Sequence, residues 1–277
     1  MIAGKYELAG PIGWGEHSVV YESLHALLHR KAAVKILAKT DEESERRFAR
    51  EAKLAGSLSH PNIVELYEVG RLADGRAFLA MEFLEGETLQ ERLERQGVFS
   101  IGAAMKAGQE VLFGLSVAHE AKIVHRDLRP QNLFMAQTRE GEVLKIVDFG
   151  ISRRFGGEGD SMLTRPGSFL GGVQYIAPER LYEDSVIDHR TDLYSVGVML
   201  YQLLTGKVPF TGKAAKLLVA ISEDMPPPPS SHREELTPDV DKVIMTALAK
   251  KPSDRFSDAE SMAEALRLTS LFAGYTS

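Results

Sequence analysis

The hydrophobic pattern of this 277-residue chain changes near residue 85. Before that point, β-branched and apolar residues come in short runs with loop residues between them, as in strands. The predicted strands cover residues 5–12, 18–24, 31–37, 63–69 and 77–83. After that point helical spacing dominates, and the predicted helices cover residues 100–121, 192–204, 239–249 and 258–268. The pattern therefore predicts an α+β fold with a small sheet-rich lobe and a larger, mainly helical lobe.

The two predicted lobes account for almost the whole chain. The first covers residues 1–84 and the second residues 85–270, which leaves a short tail at residues 271–277. The second lobe also contains short strand-like runs, at residues 123–124, 133–135 and 143–147. Residues 152–169 are rich in Gly, Ser, Thr and Arg, which predicts a long loop.

Composition narrows the classes of function. The net charge of −6 argues against a nucleic-acid surface, because proteins that neutralise phosphates are usually strongly basic. The absence of cysteine excludes disulfides, thiol nucleophiles and thiolate metal sites. No apolar stretch approaches the roughly 18 residues of a spanning helix, and residues 1–10 lack the apolar core of a signal peptide. We expect a cytoplasmic location, or a cytosolic domain of a longer membrane-anchored protein.

A lysine stands inside an apolar strand, at the end of the run Ala32-Ala33-Val34-Lys35. A charge at such a position needs an anionic partner, although a surface position at a strand edge would also explain it. The helix predicted to start near Thr40 places Glu51 on its apolar face. Two opposite charges at core positions are best explained together, so we expect Lys35 and Glu51 to form an ion pair in a cleft.

The segment Gly13-Trp14-Gly15 lies between two predicted strands, and Ser18 follows it. Glycines let a backbone approach a phosphate closely and present its N–H groups. The pattern alone is a weak signal, since many such loops are plain hairpins. A dinucleotide-binding fold is disfavoured, because that fold has a helix directly after the glycines and here a strand follows.

A dense polar cluster covers residues 125–132 and reads His-Arg-Asp-Leu-Arg-Pro-Gln-Asn. The segment Asp148-Phe149-Gly150 follows the last strand-like run. The side chains of Asp127, Asn132 and Asp148 can bind a hard cation through oxygen. Each piece taken singly is also a common loop signal, so the order of the pieces along the chain carries the argument.

In this order and at about this spacing, the motifs resemble the catalytic domain of a eukaryotic-type Ser/Thr protein kinase. The resemblance runs from about residue 6 to about residue 268, and residues 175–180 are similar to bacterial Ser/Thr kinases. It implies a bilobal kinase fold, with an antiparallel sheet and one key helix in the small lobe. It also implies a buried pair between Glu179 and Arg255, and a supporting role for Asp192 beneath the catalytic loop.

The resemblance implies ATP as the phosphate donor, Mg²⁺ or Mn²⁺ as the cofactor, and a protein Ser or Thr hydroxyl as the acceptor. Asp127 would accept the hydroxyl proton. Lys35, held by Glu51, would contact the α- and β-phosphates, and Asn132 and Asp148 would bind the metal. The implied nucleotide-binding residues are Ile12, Gly13, Gly15, Ser18, Val20, Ala33, Lys35, Met81, Glu82, Leu84 and Leu133.

Within that set, the backbone of Glu82 and Leu84 would hydrogen-bond the edge of the adenine, and Met81 would limit the depth of its pocket. Ser18 stands where the family has its third glycine.

The resemblance also implies a regulatory site. Arg126 precedes the predicted catalytic aspartate, and in the family such an arginine often contacts a phosphate on the activation segment. Arginine binds phosphate through paired hydrogen bonds, so phosphorylation would order this loop. Thr164 is the first candidate for the phosphorylated residue, Ser168 the second and Ser161 a further one. The alternative is that these are ordinary solvated hydroxyls of a loop.

Two further departures from the family pattern bear on activity. Ser/Thr kinases usually have a lysine where this chain has Arg129, and a threonine where it has Gly172. Arginine keeps the positive charge but is bulkier and planar, and glycine removes the hydroxyl. We therefore expect slowed or altered catalysis. The expected catalytic residues are Asp127, Lys35, Glu51, Asn132 and Arg129.

Three alternatives remain at this point. A pseudokinase that scaffolds partners would fit Arg129 and Gly172, but it would predict loss of Lys35, Asp127 or Asp148, which are all present. A small-molecule kinase usually lacks an Ala-Pro-Glu segment, which this chain has at residues 177–179, so that alternative is disfavoured. A binding module without catalysis would leave the ordered motifs unexplained. The expected partners are a Ser/Thr-containing protein substrate and a second kinase domain, with no nucleic acid.

Overall fold

A computed structural model of the protein describes residues 1–15, 18–38, 52, 56–148, 172–182 and 185–273. Five strands form an antiparallel sheet in the first part of the chain. They are β1 (Tyr6–Gly15), β2 (Ser18–His25), β3 (Arg30–Leu37), β4 (Leu66–Arg71) and β5 (Ala77–Glu82). Their order across the sheet is β1-β2-β3-β5-β4, so β3 lies at the centre.

The central strand β3 is buried on both faces, which explains its nearly continuous apolar sequence. Ala33 and Leu37 belong to the main core that continues into the second lobe. Val34 and Ile36 belong to a separate cluster on the other face, together with Phe78 of β5. The strand therefore connects the packing of the sheet to that of the rest of the molecule.

A second, three-stranded sheet begins directly after the first. It consists of β6 (Gly86–Thr88), β7 (Leu133–Thr138) and β8 (Gly141–Ile146), in that order. Gly86 has φ of 142°, and a Cβ there would lie 2.1 Å from the carbonyl oxygen of Met135. Glycine is therefore required where the chain passes from β5 into β6.

Helices make up most of the second lobe. They are α1 (Leu89–Gln96), α2 (Ile101–Glu120), α3 (Arg190–Thr205), α4 (Ala214–Glu223), α5 (Pro238–Ala247), α6 (Ala259–Arg267) and α7 (Ser270–Ala273). Helix α3 is buried along almost its whole length and contacts α2 and α5, so it forms the centre of the lobe. None of the helices in the described ranges is long and apolar enough to cross a membrane.

Capping interactions set where two of these helices begin. The hydroxyl of Thr88 accepts a hydrogen bond from the backbone N–H of Glu91, and the Glu91 carboxylate accepts one from the Thr88 N–H, which is a capping box. Ser100 caps α2 through the N–H of Ala103. These contacts place α1 directly after β6, close to the segment between the two lobes.

The predicted α+β fold with an antiparallel sheet is confirmed, and the predicted helices and most predicted strands lie within two or three residues of the observed elements. The strand predicted at residues 123–124 is wrong, because that segment is irregular after the left-handed turn at Lys122. Helices α1 and α4 were not predicted. The helix predicted near Thr40 and the loop at residues 152–169 lie outside the described residues. The predicted division between residues 84 and 85 stays a prediction.

Candidate active site

Lys35 and Asp148 meet between the two sheets. Lys35 lies on β3, and its Nζ is 2.8 Å from Oδ1 of Asp148, which follows β8 by two residues. The Lys35 side chain is only 6% exposed, whereas that of Asp148 is 33% exposed. Burial acts to raise the pKa of Asp148, but the Lys35 ammonium outweighs it, and the net pKa is lowered. Asp148 is therefore a carboxylate at neutral pH.

Backbone conformation is unusual at two positions of the site. Asp148 has φ of 60° and Arg126 has φ of 65°, both in the left-handed region that non-glycine residues rarely occupy. Such strain persists only where surrounding contacts hold it, and it concentrates at functional sites. Here the surrounding contacts come from Lys35 to Asp148 and from Asp192 to the backbone of Arg126.

Asp127 and Asn132 face each other across a short turn. Nδ2 of Asn132 donates to the backbone carbonyl of Asp127 at 2.7 Å and to its carboxylate Oδ2 at 3.3 Å. The Asp127 N–H donates to Nδ1 of His125 at 3.3 Å. The turn is made by Pro130, which starts a 3-10 turn ending at Asn132. The Asp127 carboxylate is therefore held in place from its own loop.

A buried aspartate on α3 supports this loop. Asp192 is fully buried, and its two carboxylate oxygens accept hydrogen bonds from the backbone N–H groups of His125 and Arg126, each at 2.8 Å. Nε2 of His119, near the end of α2, lies 2.9 Å from the same carboxylate. The His125 ring in turn contacts the carbonyl of Val147, just before Asp148. The family resemblance implied the supporting role of Asp192, whereas no sequence pattern indicated His119.

Two arginines brace the second lobe around the loop. Arg255 makes a paired contact with Glu179, at 2.8 and 2.7 Å, and both side chains are buried. Burial acts to raise the pKa of Glu179, but the hydrogen bonds from Arg255 outweigh it and lower the pKa. Arg180 donates a hydrogen bond to the backbone carbonyl of Arg126. The pair between Glu179 and Arg255 that the resemblance implied is therefore formed. The contact from Arg180 to Arg126 was not predicted.

The residues expected around adenine come from both sheets. Ala33 and Met81 are direct neighbours across β3 and β5, and Leu133 at the start of β7 is fully buried. Val20 is partly buried and packs on the same core. Ile12 remains half-exposed on β1. Ala33, Met81 and Leu133 thus belong to one core on which Val20 packs, although none of them was identifiable as a pocket residue without the resemblance.

The glycine segment is paired within the sheet. Gly13 lies opposite Val20, and Gly15 lies opposite Ser18, so β1 runs through both glycines. A Cβ on Gly15 would lie 2.7 Å from Oγ of Ser18, so a larger residue there would require the Ser18 side chain to move. Trp14 between them is exposed.

The hinge consists of residues 83–85, which connect β5 to β6. Glu82, the residue before it, makes a contact that was not predicted from the sequence. Oε1 of Glu82 accepts hydrogen bonds from Nζ of Lys145 at 2.7 Å and from the backbone N–H of Glu65 at 2.8 Å. Lys145 interrupts the apolar run Val143-Leu144-Lys145-Ile146 just as Lys35 interrupts its own strand, so the same signal was present. Leu84, two residues after Glu82, is only partly buried.

Arg129 approaches the carboxylate of Asp127 without a close hydrogen bond. Its Nε lies 3.7 Å from Oδ2 of Asp127, and this buried nitrogen has no hydrogen-bond partner among the described residues. Burial raises the pKa of the nearby Tyr175 to about 12, although the Arg129 charge acts to lower it. The Tyr175 hydroxyl donates to the side chain of Gln202. Gly172 precedes this segment and offers no side chain.

The donor atoms suit a hard divalent cation. Asp148 supplies a carboxylate, and Asn132 keeps its amide oxygen because its Nδ2 is the atom bonded to Asp127. Within the described ranges no group of three or more His, Asp or Glu side chains is placed to hold a metal alone. That arrangement fits Mg²⁺, which proteins often hold through one or two side chains together with substrate phosphates and water.

Several predicted residues lie outside the described ranges. They are Glu51, Phe149, Ser161, Thr164 and Ser168. Lys35 has Asp148 as its observed partner, and its pairing with Glu51 stays a prediction.

The fold and the site together define a two-lobed protein with a lysine–aspartate pair between its sheets and an Asp–Asn loop beside it. The family described as Protein kinase domain matches residues 6–267, and the chain belongs to this family. The resemblance found in the motifs is thereby confirmed.

Named bacterial kinases are similar over most of this chain. Serine/threonine-protein kinase pkn3 of Myxococcus xanthus is 38% identical over 268 residues, which cover 94% of this chain and 49% of that protein. PknB of Mycobacterium tuberculosis is 36% identical over 269 residues, which cover 94% and 42%. A probable serine/threonine-protein kinase of Corynebacterium efficiens is 37% identical, covering 98% and 42%. The chain thus spans about half or less of the length of these relatives.

Proposed function

We propose that this domain transfers the γ-phosphate of ATP to serine or threonine hydroxyls of proteins. The observation that carries the proposal is the convergence of Lys35 with Asp148, at 2.8 Å, beside the bonded pair Asp127 and Asn132. The names of the relatives, all serine/threonine-protein kinases, support the same activity. No observation on the described residues favours a pseudokinase.

Phosphoryl transfer requires alignment and charge neutralisation more than covalent chemistry from the protein. Asp127 would orient the acceptor hydroxyl and take its proton, because its carboxylate is held in place by Asn132. The Lys35 ammonium, which balances Asp148 in the structure, would bind the α- and β-phosphates. Glu51 would assist Lys35 from the helix predicted to follow β3, and Arg129 would add positive charge near the transferred group.

Mg²⁺, or Mn²⁺ in its place, would supply charge neutralisation at the phosphates. Asn132 and Asp148 would hold it through oxygen, in keeping with the donor set described above.

The nucleotide would lie between the two sheets. Ile12, Val20 and Ala33 would cover one face of the adenine and Leu133 the other, while Met81 limits the depth. The backbone of Glu82 and Leu84 would bind the adenine edge. Gly13, Gly15 and Ser18 would lie over the phosphates, where the absence of a side chain on Gly15 permits close approach.

Regulation by phosphorylation is a further part of the proposal. Arg126 would bind a phosphate on Thr164, or on Ser168, through paired hydrogen bonds. Hydrogen bonds to Asp192 and from Arg180 already hold the backbone of Arg126, so the position from which its side chain extends is fixed. Mapping of phosphorylated residues after incubation with ATP tests this assignment.

The proposed partners follow from the reaction. A protein containing an accessible serine or threonine would be the substrate, and a second kinase domain would be a partner in dimerisation. Because ATP and reduced proteins are found inside cells, the proposed location of the domain is cytoplasmic. Sedimentation at increasing concentration measures whether a dimer forms.

Transfer of label from γ-phosphate-labelled ATP to a generic protein substrate tests the proposed activity directly. We expect Asp127→Asn to lower transfer by about 10²- to 10⁴-fold, because general-base assistance is lost. Binding of ADP should stay within about twofold of wild type, since Asp127 is not among the nucleotide contacts. Equal transfer by the variant would contradict the role of Asp127. No transfer by the wild-type domain, with ADP still bound, would contradict the proposed function.

A further inference from the structure

The outer side of the segment between the lobes holds a nearly buried ion pair. Nζ of Lys145, on β8, lies 2.7 Å from Oε1 of Glu82, the last residue of β5. The two side chains are 13% and 17% exposed. Exposed ion pairs contribute little to stability because water screens their charges. Screening is weaker for a pair that is mostly withdrawn from solvent. This contact joins the strand before the hinge to the strand that leads to Asp148.

Glu82 is fixed by its backbone as well as by its side chain. Its N–H donates to the carbonyl of Glu65 at 2.9 Å, while its Oε1 accepts from the N–H of Glu65 at 2.8 Å. The carboxylate oxygen therefore receives one neutral and one charged donor. Charged donors form the shorter and stronger hydrogen bonds of the two kinds.

The strand on the other side of the pair is equally constrained. Ile146 donates its N–H to the carbonyl of Asn62 at 2.9 Å, and its own carbonyl accepts from the N–H of Val64 at 3.0 Å. The Asn62 side chain donates to the carbonyl of Leu144 at 2.8 Å. Lys145 thus projects from a strand whose neighbours on both sides are bonded to residues 62–64.

The positive charge of the pair comes from Lys145 and not from the nearby histidine. Burial lowers the pKa of His60, and the Lys145 ammonium lowers it further. His60 also accepts a hydrogen bond at Nδ1 from the N–H of Asn62 at 3.2 Å. His60 is therefore neutral at pH 7, and Lys145 alone of these two balances Glu82.

We infer that Lys145 and Glu82 form a positioning pair for nucleotide binding. The pair ties the backbone of Glu82, the proposed adenine contact, to β8, which ends two residues before Asp148, the proposed metal ligand. The spacing between the adenine end and the phosphate end of the nucleotide is then fixed before the nucleotide arrives, which reduces the ordering that binding requires. The inference rests on the proposed function, because it assigns the pair to the same site.

Replacement of Lys145 by the uncharged Met tests the pair. We expect the Kd for ADP with Mg²⁺, measured by calorimetry, to rise at least about fivefold, in the range of coupling between linked sites. KM for ATP should rise in parallel while kcat stays within about twofold, because Lys145 does not touch the reacting groups. Lys145→Arg keeps a charged donor and should restore most of the affinity.

A matched control is Lys5→Met. Lys5 pairs with Glu68 at 2.9 Å, so the same charge is removed from an ion pair of similar length. Lys5 directly precedes β1 and Glu68 lies on β4, so this pair stays within the first lobe and does not join the two lobes. The Lys5 side chain is 48% exposed. We expect its Kd for ADP to equal that of wild type. Thermal unfolding of each variant separates a change in affinity from a general loss of stability.

Glu82→Gln, alone and combined with Lys145→Met, completes a double-mutant cycle. If the pair acts as a unit, the double variant should bind ADP about as weakly as either single variant. Strictly additive effects, or an unchanged Kd in a folded Lys145→Met variant, would overturn the inference. Tighter ADP binding or a higher kcat in Lys145→Met would also overturn the inference, because the pair would then oppose the active conformation and not support it. A wild-type domain that binds no ADP would overturn the proposed function itself.

Discussion

At the scale of single residues, the proposed catalytic role of Asp127 depends on the groups that surround its carboxylate. Asn132 holds its carboxylate, whereas Arg129 stays 3.7 Å away and leaves a buried nitrogen without a partner among the described residues. An unsatisfied buried donor costs free energy. We attribute this ion pair without a hydrogen bond to the bulk and planarity of arginine, which stands in place of the lysine usual in the family.

The double change Arg129→Lys with Gly172→Thr tests this explanation. It introduces a flexible ammonium beside Asp127 and, as the family resemblance implies, a hydroxyl that hydrogen-bonds around it. We therefore expect kcat to rise by about tenfold, equivalent to one added charged hydrogen bond. KM for ATP should change little, because neither side chain belongs to the proposed adenine site. Each single variant serves as a control, and a kcat that no variant raises would mean that these positions do not limit the rate.

At the scale of elements, the ion pair between Glu179 and Arg255 joins the turn around Glu179 to the segment after α5. Thr191 at the start of α3 donates to the same carboxylate, so three parts of the lobe meet at one buried charge. The pKa of Glu179 lies below its ordinary value of 4.5. The pair therefore stabilises the fold above that pH, and the contribution is lost as the pH falls through the lowered pKa.

We expect Arg255→Met to lower the free energy of unfolding by about 3–5 kcal/mol at pH 7, because it leaves a buried carboxylate unpaired. An unpaired buried carboxylate has a raised pKa and takes up a proton readily. The deficit should therefore shrink between pH 7 and pH 5, where the wild type keeps its ion pair. Urea unfolding at both pH values measures this, with Glu179→Gln/Arg255→Met as the control. A deficit that grows towards pH 5 would contradict the account.

Element prediction succeeded where a pattern is local and long. Helices α2 and α3 were predicted from apolar spacing because each buries a wide face along its length. Helix α1 was missed although Thr88 and Glu91 have capping-box spacing, because eight residues carry too short a pattern. Strand β1 was predicted to stop before the glycines, but its pairing with β2 extends it to Gly15. That pairing depends on the partner strand and not on the residues of β1 themselves.

At the scale of the whole molecule, one core joins the lobes. The same cluster of buried residues includes Ala33 and Met81 of the first sheet, Leu133 and Ile146 of the second, and Tyr194 of α3. The proposed nucleotide contacts Ala33, Met81 and Leu133 belong to this shared core, and Val20 packs on it. Ligand binding should therefore stabilise both lobes together.

We expect ADP with Mg²⁺ to raise the temperature of a single unfolding transition. At a free ADP concentration of 100 times its Kd, the added stability should be about 2.7 kcal/mol. Removal of the metal by EDTA should reduce the shift, and Asp148→Asn should make the shift nearly independent of Mg²⁺, because one proposed metal ligand is lost. Two separate transitions would contradict the shared core. A shift in Asp148→Asn that depends on Mg²⁺ as in wild type would contradict the metal assignment.

The sequence by itself determined the kinds of chemistry available and their order along the chain. A loop such as residues 125–132 depends mainly on residue identity at fixed local spacing, so the order of the motifs, through the resemblance to the kinase family, was enough to indicate its candidate base and amide. Lys35 was also identifiable as a charge that needed a partner. Its observed partner, Asp148, was assigned from the sequence to a different role.

Only the tertiary structure decided which of these groups touch. Lys145 meets Glu82 across 63 positions of the chain, and His119 meets Asp192 across 73. The first contact arises where β8 approaches the end of β5 and the second where α2 packs on α3, and no local pattern encodes the distance between two elements that pack together. The physical reason is that a side chain's partner is chosen by the shape of the shared core, to which residues from the whole chain contribute.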